Sequence, residues 1–461
     1  MIRRLAALAT LLAGLAAAPV ARPAEATEPP PAATSAEAPA RGAPLPPLRA
    51  LPPPPAAASG ASGAIDPVAA TRAYLDELSP GAKARSDAYF EGGYWLLLWD
   101  FLVGAAFSLL LLGTGLSARM RDLAERRIRW RALQPAGYWA QFAVLGALAT
   151  LPYTIYRDHL REHRYGLSNL TLGGFLGEQA KGLLVEVLLG GVAAVILYAV
   201  VRRVGRAWWA WGTAATIGIA LVVELIAPVL IVPLFNAPRR LADARVTAPI
   251  LSLARANGIA ANEVWEIDAS RQSTRVSANV SGLLGTERIT LNDNLLRRCS
   301  LEEIEAVMGH ELGHAVLQHV EVELLELGLV ILLGFRLVAA LFERLRARRE
   351  ATWGVRGIAD PAGLPLVTLL FSAYMLLMTP VVNGISRVAE AQADVFGLNA
   401  ARQPDGFARA TLLLSEYRKL EPGPLEEAIF YDHPSGRTRI LAAMRWKAEH
   451  PETWSRAAPP R

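Results

Sequence analysis

Cysteine is nearly missing: Cys299 is the one thiol in 461 residues. No disulfide can close within the chain, and no cluster of thiolates can hold a metal. Charge is also sparse, at 19% of residues, and aromatics stand at 7%. The net charge of +5 comes mostly from arginine. The basic runs occupy short loops without aromatic interleaving, so nucleic acid is excluded as a partner. In place of charge the chain carries apolar residues, 52% of the total. They cluster in windows of about 20 residues, long enough to cross a bilayer core of about 30 Å as helices. The lipid bilayer is thus the first partner the sequence names, and the class is a mainly α, polytopic membrane helical bundle.

The order of segments sets the domains. Residues 1–26 read as an export signal: Arg3 and Arg4 precede an apolar run from Leu5 to Val20, with cleavage sites after Ala18 or Ala26. An uncleaved N-terminal anchor is the alternative, and either version puts the next segment outside the cytoplasm. Residues 27–65 are rich in proline and alanine and form a disordered or extended linker. Four apolar windows (Tyr94 to Leu116, Trp139 to Ile155, Leu183 to Val201, Trp209 to Leu230) define a membrane domain over 66–235. Two more (Leu324 to Phe342, Leu364 to Val382) fall within a second domain over 236–450, and 451–461 is a tail. Asp100, Glu186, Glu224 and Arg336 lie inside these windows, where a charge needs a partner, a wet cavity or a helix end to snorkel from.

Arginine also sets the orientation. Arg119 to Arg131, Arg202 to Arg206 and Arg344 to Arg356 fill alternate loops, which the positive-inside rule places in the cytoplasm. The stretch from Asn236 to Val322 and the C-terminal region then face outward. That is the arrangement of a bacterial inner-membrane protein with its polar domain in the periplasm. Within this domain, residues 264 to 291 carry short β-favouring pieces, Val264 to Ile267 and Arg288 to Leu291, that predict a small sheet. Ser300 with Glu303 forms a capping box that opens a helix running through Gln318.

That helix carries His310-Glu311-Leu312-Gly313-His314. Histidines four apart share one helix face and can reach one metal, with Glu311 beside them to take a proton from activated water. A tetrahedral catalytic zinc needs a third protein ligand and an open position. Glu390 and Asp394, just past the last apolar window, also share a face. One carboxylate can bind the metal while the other takes a hydrogen bond from a ligand histidine. His319, five residues after His314, falls off the metal-facing stripe and reads as structural. His159 and His163 lie in an outward loop with no metal role, and His450 reads as a surface residue.

The whole pattern resembles the type I CAAX prenyl endopeptidases and the related HtpX-type membrane metallopeptidases. His310 to His314, two apolar helices, and Glu390 to Asp394 follow that family's order. So do Asp432-His433-Pro434 with Arg439, Glu162 to Leu167, and Pro233 to Asn236, covering residues 68 to 445. The resemblance implies a gluzincin-type zinc peptidase core with a small β-sheet, beside a water-filled intramembrane chamber. One Zn2+ per chain is implied on His310, His314 and Glu390, with Glu311 as general base. Asp394 is implied to support a ligand histidine, and His433 and Arg439 to lie near the oxyanion. The implied substrate is a peptide or protein, cut at an internal or near-C-terminal bond. Val276 to Asn279 corresponds to the family's substrate-pairing edge strand, but Ser277 stands where asparagine is expected. The family's eukaryotic members work on the cytosolic side, whereas arginine bias here points outward, toward quality control of membrane or exported proteins. The rival readings are an ion-conducting transporter, which leaves the paired motifs unexplained, and a catalytically weak peptidase-like protein that binds or escorts substrates.

Overall fold

The computed structural model describes residues 47–59, 64–281 and 287–454. The expected export signal or anchor and the start of the linker lie outside the described residues, as does the end of the tail. Six long helices carry the apolar windows. They are α1 Pro80–Gly113, α2 Gln134–Ile155, α3 Leu172–Val204, α4 Trp208–Ile226, α6 His319–Ala347 and α7 Leu364–Ala401; α5 Leu301–Val316 and α8 Gly436–Glu449 complete the elements that matter for the site. Their starts are written locally. Ser79 and Thr171 accept backbone N–H groups at the first turns of α1 and α3, and Pro80 sits at the first helical position of α1.

Among the described residues, four helical runs are long and apolar enough to cross a membrane: Pro80–Gly113, Leu172–Phe235, His319–Ala347 and Pro361–Ala401. The second holds both α3 and α4. Gly205, with φ of 57°, divides it at a turn that side chains resist. α2 packs on α3 through a knob and hole: a Cβ on Gly190 would come within 2.3 Å of the Trp139 indole nitrogen. That indole N–H donates to the Glu186 carbonyl at 3.0 Å, so the buried ring leaves no polar group unpaired.

The charges inside the windows separate into two groups. Asp100 accepts hydrogen bonds from Tyr153 at 2.7 Å and Arg157 at 2.8 Å, and Arg336 lies over the Trp209 ring. Glu186 and Glu224 form no ion pair through their carboxylates among the described residues. Between α3, α4, α6 and α7 lies a cavity of about 150 Å³ whose walls are almost wholly apolar, from Trp208 and Ile217 to Phe335 and Met375. It differs from the expected aqueous chamber, and none of the four charges lines it.

The three arginine-rich loops meet at one end of the bundle. Arg121 donates to Asp360 at 2.6 Å and to the Gly354 carbonyl at 2.8 Å. Arg356 pairs with Glu125 at 2.6 Å, and Arg202 donates to the Arg131 carbonyl at 3.1 Å.

At the other end lies a four-stranded sheet in the order β1-β2-β4-β3. β1 (Arg239–Arg240) and β2 (Val264–Ile267) run antiparallel, β2 and β4 (Arg288–Asn292) parallel, and β4 and β3 (Ala278–Ser281) antiparallel. β3 is therefore an edge strand. Ile289 and Leu291 of β4 are buried with Ile304, Met308 and Leu312 of α5. Those three recur every fourth residue, so α5 gives one face to the sheet and keeps the opposite face for chemistry.

The linker ends in a strap. From Pro47 to Ser59 the chain lies along the peptidase half, with Leu48 packed beside the sheet core. Prolines offer carbonyls but no N–H groups. Donors come from the domain instead: Arg409 to the Pro53 carbonyl at 2.7 Å and buried Lys447 to the Ala58 carbonyl at 2.8 Å.

Candidate active site

α5 begins at the capping box read from the sequence, with both reciprocal hydrogen bonds of Ser300 and Glu303 formed. α7 crosses the bilayer region and continues past it to Ala401, carrying Glu390 and Asp394 on its extension. The two helices touch backbone to backbone. A Cβ on Gly397 would lie 2.7 Å from the His310 nitrogen, and one on Gly313 would lie 3.1 Å from Ala393 Cα. Only glycine permits this approach, and it brings α5's histidines onto α7's acids.

The donor atoms of His310, His314 and Glu390 lie within 4.8 Å of one another. His310 Nε2 is 3.2 Å from His314 Nε2 and 3.2 Å from Glu390 Oε2, while His314 Nε2 is 3.6 Å from Glu390 Oε1. Ligands at the usual zinc distances span edges of roughly 3.3 Å in a tetrahedron. Glu390 Oε2 is buried and makes no well-formed hydrogen bond, although ring nitrogens of His310 and His433 approach it. An orphaned carboxylate oxygen facing converging imidazole nitrogens fits a cation bound among them.

Electrostatics agree. Burial opposes charge on His310, yet the hydrogen bond to Asp394 and the adjacent Glu390 carboxylate outweigh that and push the imidazole up to about 10. Burial and the charge of His310 hold His314 down to about 3. The two acids thus favour positive charge at this centre. Glu311, half-buried on the next position of α5, is pushed up to about 7, chiefly by burial. Burial and then the Arg418 guanidinium depress His433.

Behind His310, its Nδ1–H donates to Asp394 Oδ1 at 2.8 Å, and Arg439 Nε donates to Asp394 Oδ2 at 2.8 Å. Arg439, 8% exposed, pairs with this buried carboxylate. A buried anion requires such a counter-charge. His433 Nε2 lies 3.1 Å from Glu390 Oε2, and its Nδ1 2.9 Å from Asp432. Arg418 Nη2 approaches His433 Nε2 at 3.3 Å. Behind His314, His319 Nδ1 stands 3.0 Å from His314 Nδ1, and His319 Nε2 is 3.0 Å from Gln392 Oε1. His159 and His163 touch edge to face outside this centre, and His450 stacks on Trp446.

Sequence reasoning passed over Arg418 and Gln392 and set His319 aside. Arg418 lies in a loop with no local signature. His319 reaches His314 only because the helix breaks between them, and no proline or glycine marks that break.

A His-Glu-x-x-His helix whose histidines converge with a glutamate from a second helix, one that emerges from a membrane bundle, is the arrangement of a membrane zinc metallopeptidase. Comparison with known proteins gives the family. Residues 240–447 match the model for peptidase family M48, and residues 71–237 match the CAAX prenyl protease N-terminal domain of five membrane helices. The chain belongs to peptidase family M48, in the group that carries this N-terminal membrane domain. It is 28% identical over 341 residues to the uncharacterized metalloprotease YhfN of Bacillus subtilis, covering 72% of this chain and 79% of that protein. It is 29% identical over 322 residues to a CAAX prenyl protease 1 homolog of Oryza sativa, covering 67% and 73%. The crystal structure of S. mikatae Ste24p shares the fold, with a TM-score of 0.68 at 22% identity over 80% of this chain and 90% of that one.

Proposed function

We propose that His310, His314 and Glu390 hold one Zn2+, and that the protein hydrolyses internal or near-C-terminal peptide bonds of membrane or exported proteins. The observation that carries this reading is the convergence of the three donor groups at tetrahedral spacing around an orphaned carboxylate oxygen. Zinc held there supplies a Lewis acid for the scissile carbonyl and for water. Glu311 takes the proton of the attacking water on its carboxylate and passes it to the leaving amine nitrogen. Its raised affinity for a proton suits a group that must first accept and then release one. His433, beside Glu390 and flanked by Arg418, steadies the negative charge that develops on the carbonyl oxygen. Asp394 and Arg439 act from behind, fixing the ring of His310 through its Nδ1.

The edge strand β3 lies beside α5 and offers its free main-chain groups to an extended substrate. That pairing needs no particular side chain, so Ser277 is compatible with it. The membrane domain is assigned to 66–235 and the peptidase domain to 236–450. The site is assigned to the periplasmic face of a bacterial inner membrane, on the strength of the arginine loops at the opposite end.

The test compares detergent-purified wild type with Glu311→Gln for zinc content and for cleavage of an unfolded reporter protein. One zinc in both, with cleavage at least about 10³-fold slower in the variant, is the expected outcome. Equal cleavage by both proteins would remove Glu311 from the reaction. Zinc in both without cleavage by either would turn the reading toward a holding or escort role.

A further inference from the structure

Two bonded helices meet at an odd joint beside the metal-binding residues. α5 ends at Val316 and α6 starts at His319, and the residue between them that turns the chain is Gln318, with φ of 54° and ψ of 40°. A side chain other than glycine resists this left-handed conformation, so it persists only where the surroundings fix it. Its consequence is local. On a continuous helix, a residue five beyond His314 would point about 140° away from it. The break instead turns His319 back, until its Nδ1 stands 3.0 Å from His314 Nδ1 with the rings at 74°. His319 is 3% exposed, so this contact is made without competing water.

The protons in this contact can be assigned. His314 turns Nε2 toward His310 and Glu390. A ligand nitrogen carries no proton, so the single ring proton of His314 must be on Nδ1. It can then only donate, and His319 Nδ1 must accept. The proton of His319 is thereby placed on Nε2, which faces the Gln392 side-chain oxygen at 3.0 Å. Every ring carries one proton, and every donor meets an acceptor. Gln392 follows Glu390 by two residues on α7, so the helix that supplies the third ligand also anchors the far end of this chain.

We infer that His319 is the positioning residue for His314, fixing its tautomer and ring orientation for the metal, with Gln392 fixing His319 in turn. The inference rests on the zinc reading given above. It makes the support of the two ligand histidines unequal: His310 is backed by a carboxylate and an arginine, His314 by a neutral imidazole and an amide. The strained Gln318 joint is the structural cost of placing that imidazole.

The test uses the full-length detergent-purified protein and its His319→Leu, His319→Asn and Gln392→Leu variants. Three quantities are measured: zinc retention against a competing chelator, the visible absorption spectrum of the cobalt(II)-substituted protein, and the melting temperature of the metal-free protein. His319→Leu removes the acceptor, so zinc affinity should fall about 10–100-fold and the cobalt bands should shift. His319→Asn restores an acceptor oxygen and should recover much of the affinity. Gln392→Leu, at an exposed helix position, leaves both rings in place but removes the acceptor for His319 Nε2, and should show a smaller loss in the same direction. The metal-free proteins should melt alike. Zinc affinity within twofold of wild type and an unchanged cobalt spectrum in His319→Leu would overturn the inference. So would an affinity loss matched by a lower metal-free melting temperature and not recovered by asparagine. A wild-type protein that binds no zinc would instead overturn the underlying site reading, which the same chelator assay reveals first.

Discussion

Asp394 and Arg439 face each other at 5% and 9% side-chain exposure, with two hydrogen bonds between them and a third running on to His310. Asp394→Asn keeps an acceptor for the His310 Nδ1–H but leaves the arginine charge buried without its partner. Losing one member of a buried pair costs about 3–5 kcal/mol, and losing a carboxylate behind a metal-bound histidine costs about 10–100-fold in metal affinity. Both losses are expected, read by denaturant unfolding of the metal-free protein and by chelator competition. Arg439→Lys separates two roles for the arginine. Acting through Asp394, its loss lowers zinc affinity together with turnover; a drop in turnover at unchanged zinc affinity would place it at the oxyanion. Cys299 makes a second residue-level case. Burial, aided by Glu303, pushes its thiol up to about 12, so at pH 8 only about one molecule in ten thousand carries the reactive thiolate. Iodoacetamide should therefore leave Cys299 unmodified in the native protein and alkylate it after unfolding, as mass spectrometry would show. At this scale the cluster of His310, His314 and Glu390, with Glu311 beside it, was legible because a metal site demands certain residues at helical spacing. Arg418 and Gln392 were not, because each is defined by a contact between distant segments.

At the scale of elements, the site depends on how closely α5 and α7 approach. Gly397 faces the His310 backbone with no room for a methyl group: a Cβ there would meet His310 N at 2.7 Å and Gly309 C at 3.0 Å. Backbone cannot yield as a flexible side chain can, so Gly397→Ala should force the helices apart by several tenths of an ångström. His310 would then shift relative to Glu390, on a helix only two turns away. Zinc affinity should fall by at least about tenfold, and stability by about 1–3 kcal/mol. Gly384→Ala, on the same helix with only the Arg387 guanidinium at 3.8 Å, is the control and should leave both unchanged. An equal response from the two variants would mean that helix propensity, not close approach, governs the result. Each apolar window and the capping box of α5 could be read from composition and cap chemistry. The joint at Gln318 could not, because its sequence carries no glycine or proline. The strap from Pro47 to Ser59 reads as linker by composition, since its anchors, Arg409 and Lys447, lie far along the chain.

For the whole molecule, the question is which face meets which compartment. α6 starts at His319, beside the site, and ends with Arg344 and Arg346 in its last turn, about 40 Å away along its axis. α7 starts beside Asp360, the partner of Arg121, and reaches Glu390 about 39 Å later. Both distances exceed a bilayer core of about 30 Å, so the arginine loops and the metal-binding residues lie on opposite sides of it. Each loop carries its own charge; the contacts among Arg121, Arg202, Arg356 and the loops they hold gather those charges onto one face. The positive-inside rule would make that face cytoplasmic, and this is the ground for the outward-facing site proposed above. Because Cys299 is buried and inert, single cysteines can be added as probes without removing it. Arg129→Cys marks the arginine face, and Leu425→Cys, 73% exposed on a short helix held by Arg387 one turn before Glu390, marks the site face. A membrane-impermeant maleimide applied to right-side-out vesicles should label Leu425→Cys at once and Arg129→Cys only after permeabilisation. The reverse order would turn the molecule over and put its substrates among cytosolic proteins, with the metal site and its chemistry unchanged.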